Sequence, residues 1–503
     1  HMGDAMDVAL LGMAIKGGVE PASFRKDFPL ADKIPYESER KFSAGFASVD
    51  NEIIVAAKGA VETILDFCTE MAAGGTSIPV QRDSIIRQAG EMAAKGYRVL
   101  AFAKVHFPNF KKKDGYTNAE LPPLTFYGLV CFIDPLRPEA KQSVLTCKKA
   151  GIKVLMITGD HPATAGTIAA ELGIATDGMP VVTGQMLSEA EPADSPAFEK
   201  LVASTTVFAR VSPIQKLKIV DVLIRDGEFV AVTGDGVNDA PALKRANIGV
   251  AMGSGTDVAK EVGSMIVIDD NFSSIVAGVE EGRFAYDNVR KVIYLLISTG
   301  GASVLIIIAS ILAGLPLPFV PVQLLWLNIV TNGIQDVALA FEGGEPGAMM
   351  KPPRRTTETI FNAVMINGTV AAALTMGSLV FGLWYYLNNH TDMAESSARN
   401  LILLLFVCLQ NFHVFNARSE TTSALRIPLS RNIVLALGVL AAQALHIISM
   451  QIPLMQEILQ IEPVSFRQWL YIIGLALPIV VTMEVFKAFV RKKHPFPVPP
   501  NPS

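Results

Sequence analysis

The chain has 503 residues, 50% of them hydrophobic and 18% charged, too long for one domain and too apolar to be wholly soluble. Lys and Arg number 43 against 47 Asp and Glu, a formal net charge of −4, which leaves no broad basic field for nucleic acid. The four cysteines, Cys68, Cys131, Cys147 and Cys408, have neither metal-ligand spacing nor the density of a disulfide framework.

Up to about residue 120 the pattern alternates helix and strand. Residues 9–15 predict a small apolar helix, and 42–49 with 52–57 predict a hairpin turning at Asp50-Asn51. An amphipathic helix is expected over 84–95, a strand over 98–105, and an exposed boundary over 108–123. From Leu124 the pattern becomes βαβα, with strands at 126–133, 154–157, 207–209 and 229–232 and helices at 139–150 and 161–172. Such alternation argues for a parallel sheet flanked by helices.

Each of these strands ends in a polar signature. They are Asp134-Pro-Leu-Arg137, Thr158-Gly-Asp160, Arg210 with Lys216, and Thr233-Gly-Asp-Gly-Val-Asn-Asp-Ala-Pro241. The last places Asp235, Asn238 and Asp239 on a Gly-broken loop where ligands bind in open α/β sheets. Hard oxygen donors on such a turn suit Mg²⁺ beside a phosphate. A capped polar turn explains either carboxylate alone, but not two glycines, two carboxylates and an amide together. Four signatures in series predict an anion-and-metal crevice along one sheet edge.

After Asn288 come six apolar stretches of membrane-spanning length, near 289–313, 319–341, 363–387, 399–416, 432–452 and 467–490. Lys and Arg concentrate before the first, between the second and third, between the fourth and fifth, and after the sixth. The alternate loops hold none, with Arg399 and Arg467 at outer span ends as the exceptions. The positive-inside rule puts the first 288 residues and both termini in the cytoplasm. An integral protein of the plasma membrane, in contact with membrane lipid, is expected. In the second stretch Asn328, Asn332 and Asp336 recur every four residues with Thr331 nearby. Such residues are costly in a span and default to function, here ligation of a transported cation. Asn332-Gly333 invites local unwinding that frees carbonyls. A polar helix seam is the ordinary alternative, and Asp336 can also be a solvated terminal charge. His413 and His446 are expected to pack or hydrogen-bond between helices, and Glu484 to anchor at the cytoplasmic edge.

In this order the motifs resemble the carboxy-terminal portion of a P-type cation-transporting ATPase of the calcium-pump-like branch, starting inside the nucleotide-binding domain. The resemblance implies a partial nucleotide-binding domain (1–120) and a partial haloacid-dehalogenase-like, parallel-sheet phosphorylation domain (121–287). An all-α bundle of six transmembrane helices (288–503) would follow. ATP and Mg²⁺ are the implied cofactors. Gly3-Asp-Ala-Met-Asp7 resembles the segment opening the nucleotide domain's acidic helix. Tyr36 with Glu39, Arg40 and Lys41 resembles the adenine-stacking stretch. Lys58-Gly59-Ala60 resembles the ATP-pocket lysine motif, and Arg98 an ATP-contacting arginine. Asp134 and Arg137, Thr158-Gly159-Asp160, Arg210, Lys216 and the 233–241 loop fall on phosphorylation-domain motifs. Lys58 would set a point charge by the phosphates. Thr158 and Lys216 would hold and neutralise the transferring group. Asp235 would hold Mg²⁺, with Asn238 and Asp239 bracing it.

Two departures matter. The family's nucleophile lies in Asp-Lys-Thr-Gly-Thr, which occurs nowhere in this sequence. The chain alone is therefore expected to bind nucleotide but not to turn over, its partner being the missing amino-terminal half. The alternatives are a nucleotide-binding membrane subunit of a split pump and a membrane-tethered phosphatase of the haloacid-dehalogenase fold. Three family carboxylates of the ion region also fall at Ser303, Asn332 and Gln410. That implies fewer Ca²⁺ per cycle or a different cation, monovalent ions included.

Overall fold

The computed structural model describes residues 5–37, 40–49, 52–94, 97–108, 121–133, 135–176, 178–345, 347–355 and 357–493. It separates into two compact units, residues 1–145 with 153–272, and residues 146–152 with 273–503.

The first unit opens with the helix Ala5–Lys16 and a seven-stranded sheet. Its strands are β1 (Leu30–Ile34), β2 (Phe42–Val49), β3 (Glu52–Gly59), β4 (Cys68–Ala73), β5 (Thr76–Pro79), β6 (Arg98–Pro108) and β7 (Leu124–Phe132), in the order β1-β2-β3-β6-β7-β4-β5. The expected hairpin is present, with Val49 opposite Glu52 and Phe42 opposite Gly59. Its alternation sends Phe42, Ala44 and Phe46 inward, where they meet Ile64 and Leu65 of the helix Val61–Asp66 and Ile85 of Arg82–Ala94. Full burial of each Phe contributes about 1.5–3 kcal/mol.

β7 departs from expectation. It does not begin the parallel sheet, but pairs antiparallel with β6 and parallel with β4. Its apolar run suits either kind of sheet, and Leu124 and Phe126 alternate inward with exposed Tyr127 outward. That alternation marks a strand with one covered face.

Two three-stranded parallel sheets follow, in place of the single one expected. β8 (Met156–Ile157), β9 (Val182–Thr183) and β10 (Val207–Ala209) run in the order β8-β10-β9. β11 (Ala231–Gly234), β12 (Ile248–Met252) and β13 (Met265–Val267) run in numerical order. Among the helices interleaved with these strands, Pro138–Lys149 precedes β8, Pro162–Glu171 crosses from β8 toward β9, and Pro213–Arg225 links β10 to β11. The last starts at a complete capping box. Ser212 Oγ accepts from the Gln215 amide and Gln215 Oε1 from that of Ser212, with Pro213 behind them.

In the second unit five helices among the described residues are long and apolar enough to cross a membrane: Phe272–Leu312, Ala363–His390, Glu395–Ala417, Leu429–Ser449 and Phe466–Lys492. Asn362, Asn432 and Ser465 cap three of them through the amides of Met365, Leu435 and Gln468. Glu395–Ala417 is buried almost all round and forms the bundle's middle. The stretch expected at 319–341 is not one α-helix. It is α-helical over Pro321–Trp326, π-helical over Leu327–Asn332, and α-helical again over Gly333–Ala340. π turns arise where a residue is inserted into the α ladder, and they concentrate at functional sites.

Candidate functional site

The ends of β8, β10 and β11 carry the polar signatures. Thr158 is locked to β10, its amide donating to Phe208 O (2.9 Å) and its carbonyl accepting from Val211 N (3.2 Å). Its hydroxyl donates to Asp160 Oδ2 and accepts from the Asp160 amide, both at 3.1 Å. Gly159 is exposed and faces open space where a Cβ would stand, so its backbone is open to a ligand. Arg210 adopts φ +54, and its amide reaches Asp160 O at 3.1 Å. Arg98 comes within 3.8 Å of Asp160, an exposed pair worth little on its own.

The capping box aims the next helix so that Lys216 crosses to the β11 loop. Its Nζ donates to Asp239 Oδ1 at 2.6 Å, with both side chains about 15% exposed. Asp239 Oδ2 accepts from Gly236 N at 3.3 Å, so both its oxygens are engaged. Gly234 is required at this approach, because a Cβ there would lie 2.5 Å from Asp239 Cβ. Asn238 is exposed on the short turn Val237–Asp239.

Asp235 differs. It is exposed, and among the described residues its carboxylate has no hydrogen-bond or ion-pair partner. Its backbone is fixed by Thr256 N, which donates to Asp235 O at 2.7 Å. The Gly253-Ser-Gly-Thr-Asp257 turn that supplies this brace was not singled out from the sequence; its paired glycines were the available signal. Ser254 hydrogen bonds hold the Asp270 carboxyl below its ordinary range, and the charge of Arg137 adds to this. Asp134 lies outside the described residues.

On the first sheet a cavity of about 310 Å³ is lined by Ser43, Gly45, Lys58, Phe102, Lys104 and Tyr127 among others. Lys58 pairs with Asp7 of the first helix. Lys104 stands 6.0 Å from the centre of the Tyr127 ring. Gly59 is needed beside it, since a Cβ would meet Lys41 O at 2.5 Å. Lys41 itself takes φ +59. Tyr36 is exposed, and Tyr36, Lys41 and Arg98 do not line this cavity.

In the bundle the π turn holds Asn328, Thr331 and Asn332. Thr331 and Asn332 are buried and Asn328 is exposed. Asn332 Nδ2 lies 3.3 Å from Asn328 Oδ1 and 3.5 Å from Thr299 Oγ1 of the first membrane helix. Among the described residues, Asn332 Oδ1 and Asp336 Oδ1 are buried without a partner. His413 Nε2 meets Ser298 Oγ at 2.8 Å, and Trp326 Nε1 donates to His446 Nδ1 at 3.1 Å. Both histidines thus join helices. Glu484 accepts from Ala424 N at 2.7 Å.

Three family descriptions match successive parts of the chain. They are "P-type ATPase, cytoplasmic domain N" over residues 1–139, "haloacid dehalogenase-like hydrolase" over 73–247, and "Cation transporting ATPase, C-terminus" over 316–489. The "Probable cation-transporting ATPase F" of Mycobacterium tuberculosis is 39% identical over 450 residues, 88% of this chain and 49% of that protein. "Cation-transporting ATPase pma1" of Synechocystis is 38% identical over 456 residues, 89% of this chain and 50% of its own. The "Calcium-transporting ATPase" of Bacillus subtilis is 34% identical over 460 residues, 89% and 50% respectively. The chain thus spans about half the length of the curated relatives it matches. With strand-end motifs, an α/β unit and an apolar helix bundle in the matching order, the chain belongs to the P-type cation-transporting ATPase family.

Proposed function

We propose that this chain is the carboxy-terminal portion of a pump that couples MgATP hydrolysis to cation transport across the plasma membrane, with both termini cytoplasmic. The observation that carries the reading is the division of labour between the two loop carboxylates. Asp239 is spent on Lys216 and Gly236, while Asp235 keeps its oxygens for a ligand. That donor set fits Mg²⁺, which takes one or two carboxylates and completes its shell with waters and phosphate oxygens. Bound there, Mg²⁺ would neutralise charge on the transferring phosphoryl group. Thr158 and the open backbone at Gly159 hold phosphoryl oxygens, and Lys216 sets its charge beside them.

The acceptor carboxylate is not supplied by these residues. Among the described residues β8 and β11 each pair on one side only, which leaves two parallel strand edges for a further strand to complete. An upstream segment bearing the acceptor aspartate is the partner this reading requires. In the bundle, the buried oxygens of the π turn would ligate the transported cation. With one carboxylate, Asp336, among Asn328, Thr331 and Asn332, a monovalent ion or a single Ca²⁺ is favoured.

Nucleotide would bind over the first sheet, with Lys58 and Lys104 facing its phosphates. Lys58→Ala should weaken ATP binding by the chain roughly tenfold or more, the value of one charge-assisted hydrogen bond. Titration with a fluorescent ATP analogue checks this. Unchanged affinity would remove the sheet cavity from the nucleotide site.

A further inference from the structure

The helix Pro162–Glu171 starts just beyond Thr158-Gly159-Asp160, at the carboxyl end of β8, where ligands bind in open parallel sheets. His161 is its N-cap, and His161 Nδ1 accepts from Ala163 N at 3.3 Å. Pro162 has no N–H to give, so this ring takes the amide that an anion at the helix end would otherwise meet first. Accepting at Nδ1 leaves no proton there, which makes the imidazole neutral with its hydrogen on Nε2. Nε2 lies across the ring from Nδ1 and points away from the helix. The ring is exposed, and among the described residues Nε2 has no partner. Asp160 does not serve as one, since its oxygens face Thr158 Oγ1 at 3.1 Å and Arg98 at 3.8 Å. Ser, Thr, Asp and Asn are the strong caps, and Thr183, Ser195, Ser212 and Thr256 cap other helices of this unit. A hydroxyl would cap Pro162–Glu171 as well as a ring does. It would not carry a donor a ring's width further out.

We propose that His161 is a further phosphoryl-binding residue, a relay that presents the amino end of this helix as an N–H donor to a terminal phosphate oxygen lying against Thr158 and Gly159. The Ala163 amide withdraws charge through Nδ1 and makes Nε2–H a stronger donor, because hydrogen bonds in a chain polarise one another. The positive end of the helix dipole acts in the same direction. A neutral ring adds no charge of its own, so His161 orients the phosphoryl group while Lys216 neutralises it. The proposal rests on the Thr158–Gly159 loop being the phosphoryl cradle and adds a donor to it.

The test is rapid-quench transfer of the terminal phosphate of MgATP in the pump with its upstream segment restored, beside ATP titration and thermal unfolding of each variant. His161→Ser keeps a strong cap but has no ring N–H. It should slow transfer roughly tenfold, the value of one hydrogen bond, with unfolding temperature and ATP affinity unchanged. His161→Ala removes the cap as well, and should slow transfer to the same extent while unfolding at a lower temperature. Transfer at the unsubstituted rate in His161→Ser would overturn the proposal, because capping alone would then account for the ring. An equal loss of ATP affinity in His161→Ser would also overturn it, by placing the ring on the nucleotide. Thr158→Ala tests the cradle separately. Unslowed transfer in that variant would remove the cradle and the relay together, whereas slow transfer in Thr158→Ala with normal transfer in His161→Ser would remove the relay alone.

Discussion

Asp235→Asn is expected to slow phosphoryl transfer from MgATP by about 100- to 1,000-fold once the upstream segment is present. ATP affinity should change little, because the cavity over the first sheet is built without this residue. The asymmetry follows from geometry. The substitution removes one anionic oxygen from the only loop carboxylate with no protein partner among the described residues, and leaves Lys216–Asp239 intact. Asp239→Asn should behave differently. It strips the countercharge from a largely buried lysine, so stability falls along with rate. Rapid-quench phosphorylation beside nucleotide titration separates the two. Equal losses of rate and ATP affinity in Asp235→Asn would mean that the loop binds nucleotide rather than assisting transfer.

Glu342→Gln should cost the membrane bundle about 3–5 kcal/mol, the penalty for leaving a buried charge uncompensated. Glu342 and Arg418 are each about 1% exposed and form a two-pronged pair, Nε to Oε2 and a terminal nitrogen to Oε1, both at 2.9 Å. Asn432 Nδ2 adds a bond to Oε2 at 3.1 Å, and Asn288 Nδ2 holds the Glu342 carbonyl at 2.7 Å. Through its carboxylate (Arg418, Asn432) and its backbone carbonyl (Asn288), Glu342 therefore ties the end of the π-turn segment to three other membrane segments. All three tryptophans, Trp326, Trp384 and Trp469, lie in this unit, so fluorescence during denaturant titration reports the bundle directly. Glu342→Met with Arg418→Met together should recover much of the loss, since removing both charges is far cheaper than removing one. A double variant as unstable as the single would show that packing, not charge, holds the junction.

The hairpin strands at 42–49 and 52–57 and most of the apolar spans were legible because each is written in a local period. β7 was assigned to the wrong sheet, since an apolar run does not say which partner covers it. β12 and β13 went unseen because they are short and the first begins Ile-Gly-Val. The π turn was anticipated only as unwinding. Asn332-Gly333 signals weakness in the helix, but the backbone register that results depends on what packs against it. Site motifs were readable as residue types, whereas their division of labour was not. Nothing in Thr233–Pro241 says which aspartate Lys216 will take; the Ser212 capping box and the close pass at Gly234 decide that.

The most direct test of the central claim is transfer of the terminal phosphate of ATP, with Mg²⁺, onto protein. The chain alone should acquire no acid-stable, hydroxylamine-sensitive label. With the upstream segment restored, such a label should form on that segment and be stimulated by one class of cation. A hydroxylamine-sensitive label on the chain alone, or none after restoration with Ca²⁺ and monovalent ions equally inert, would contradict the account.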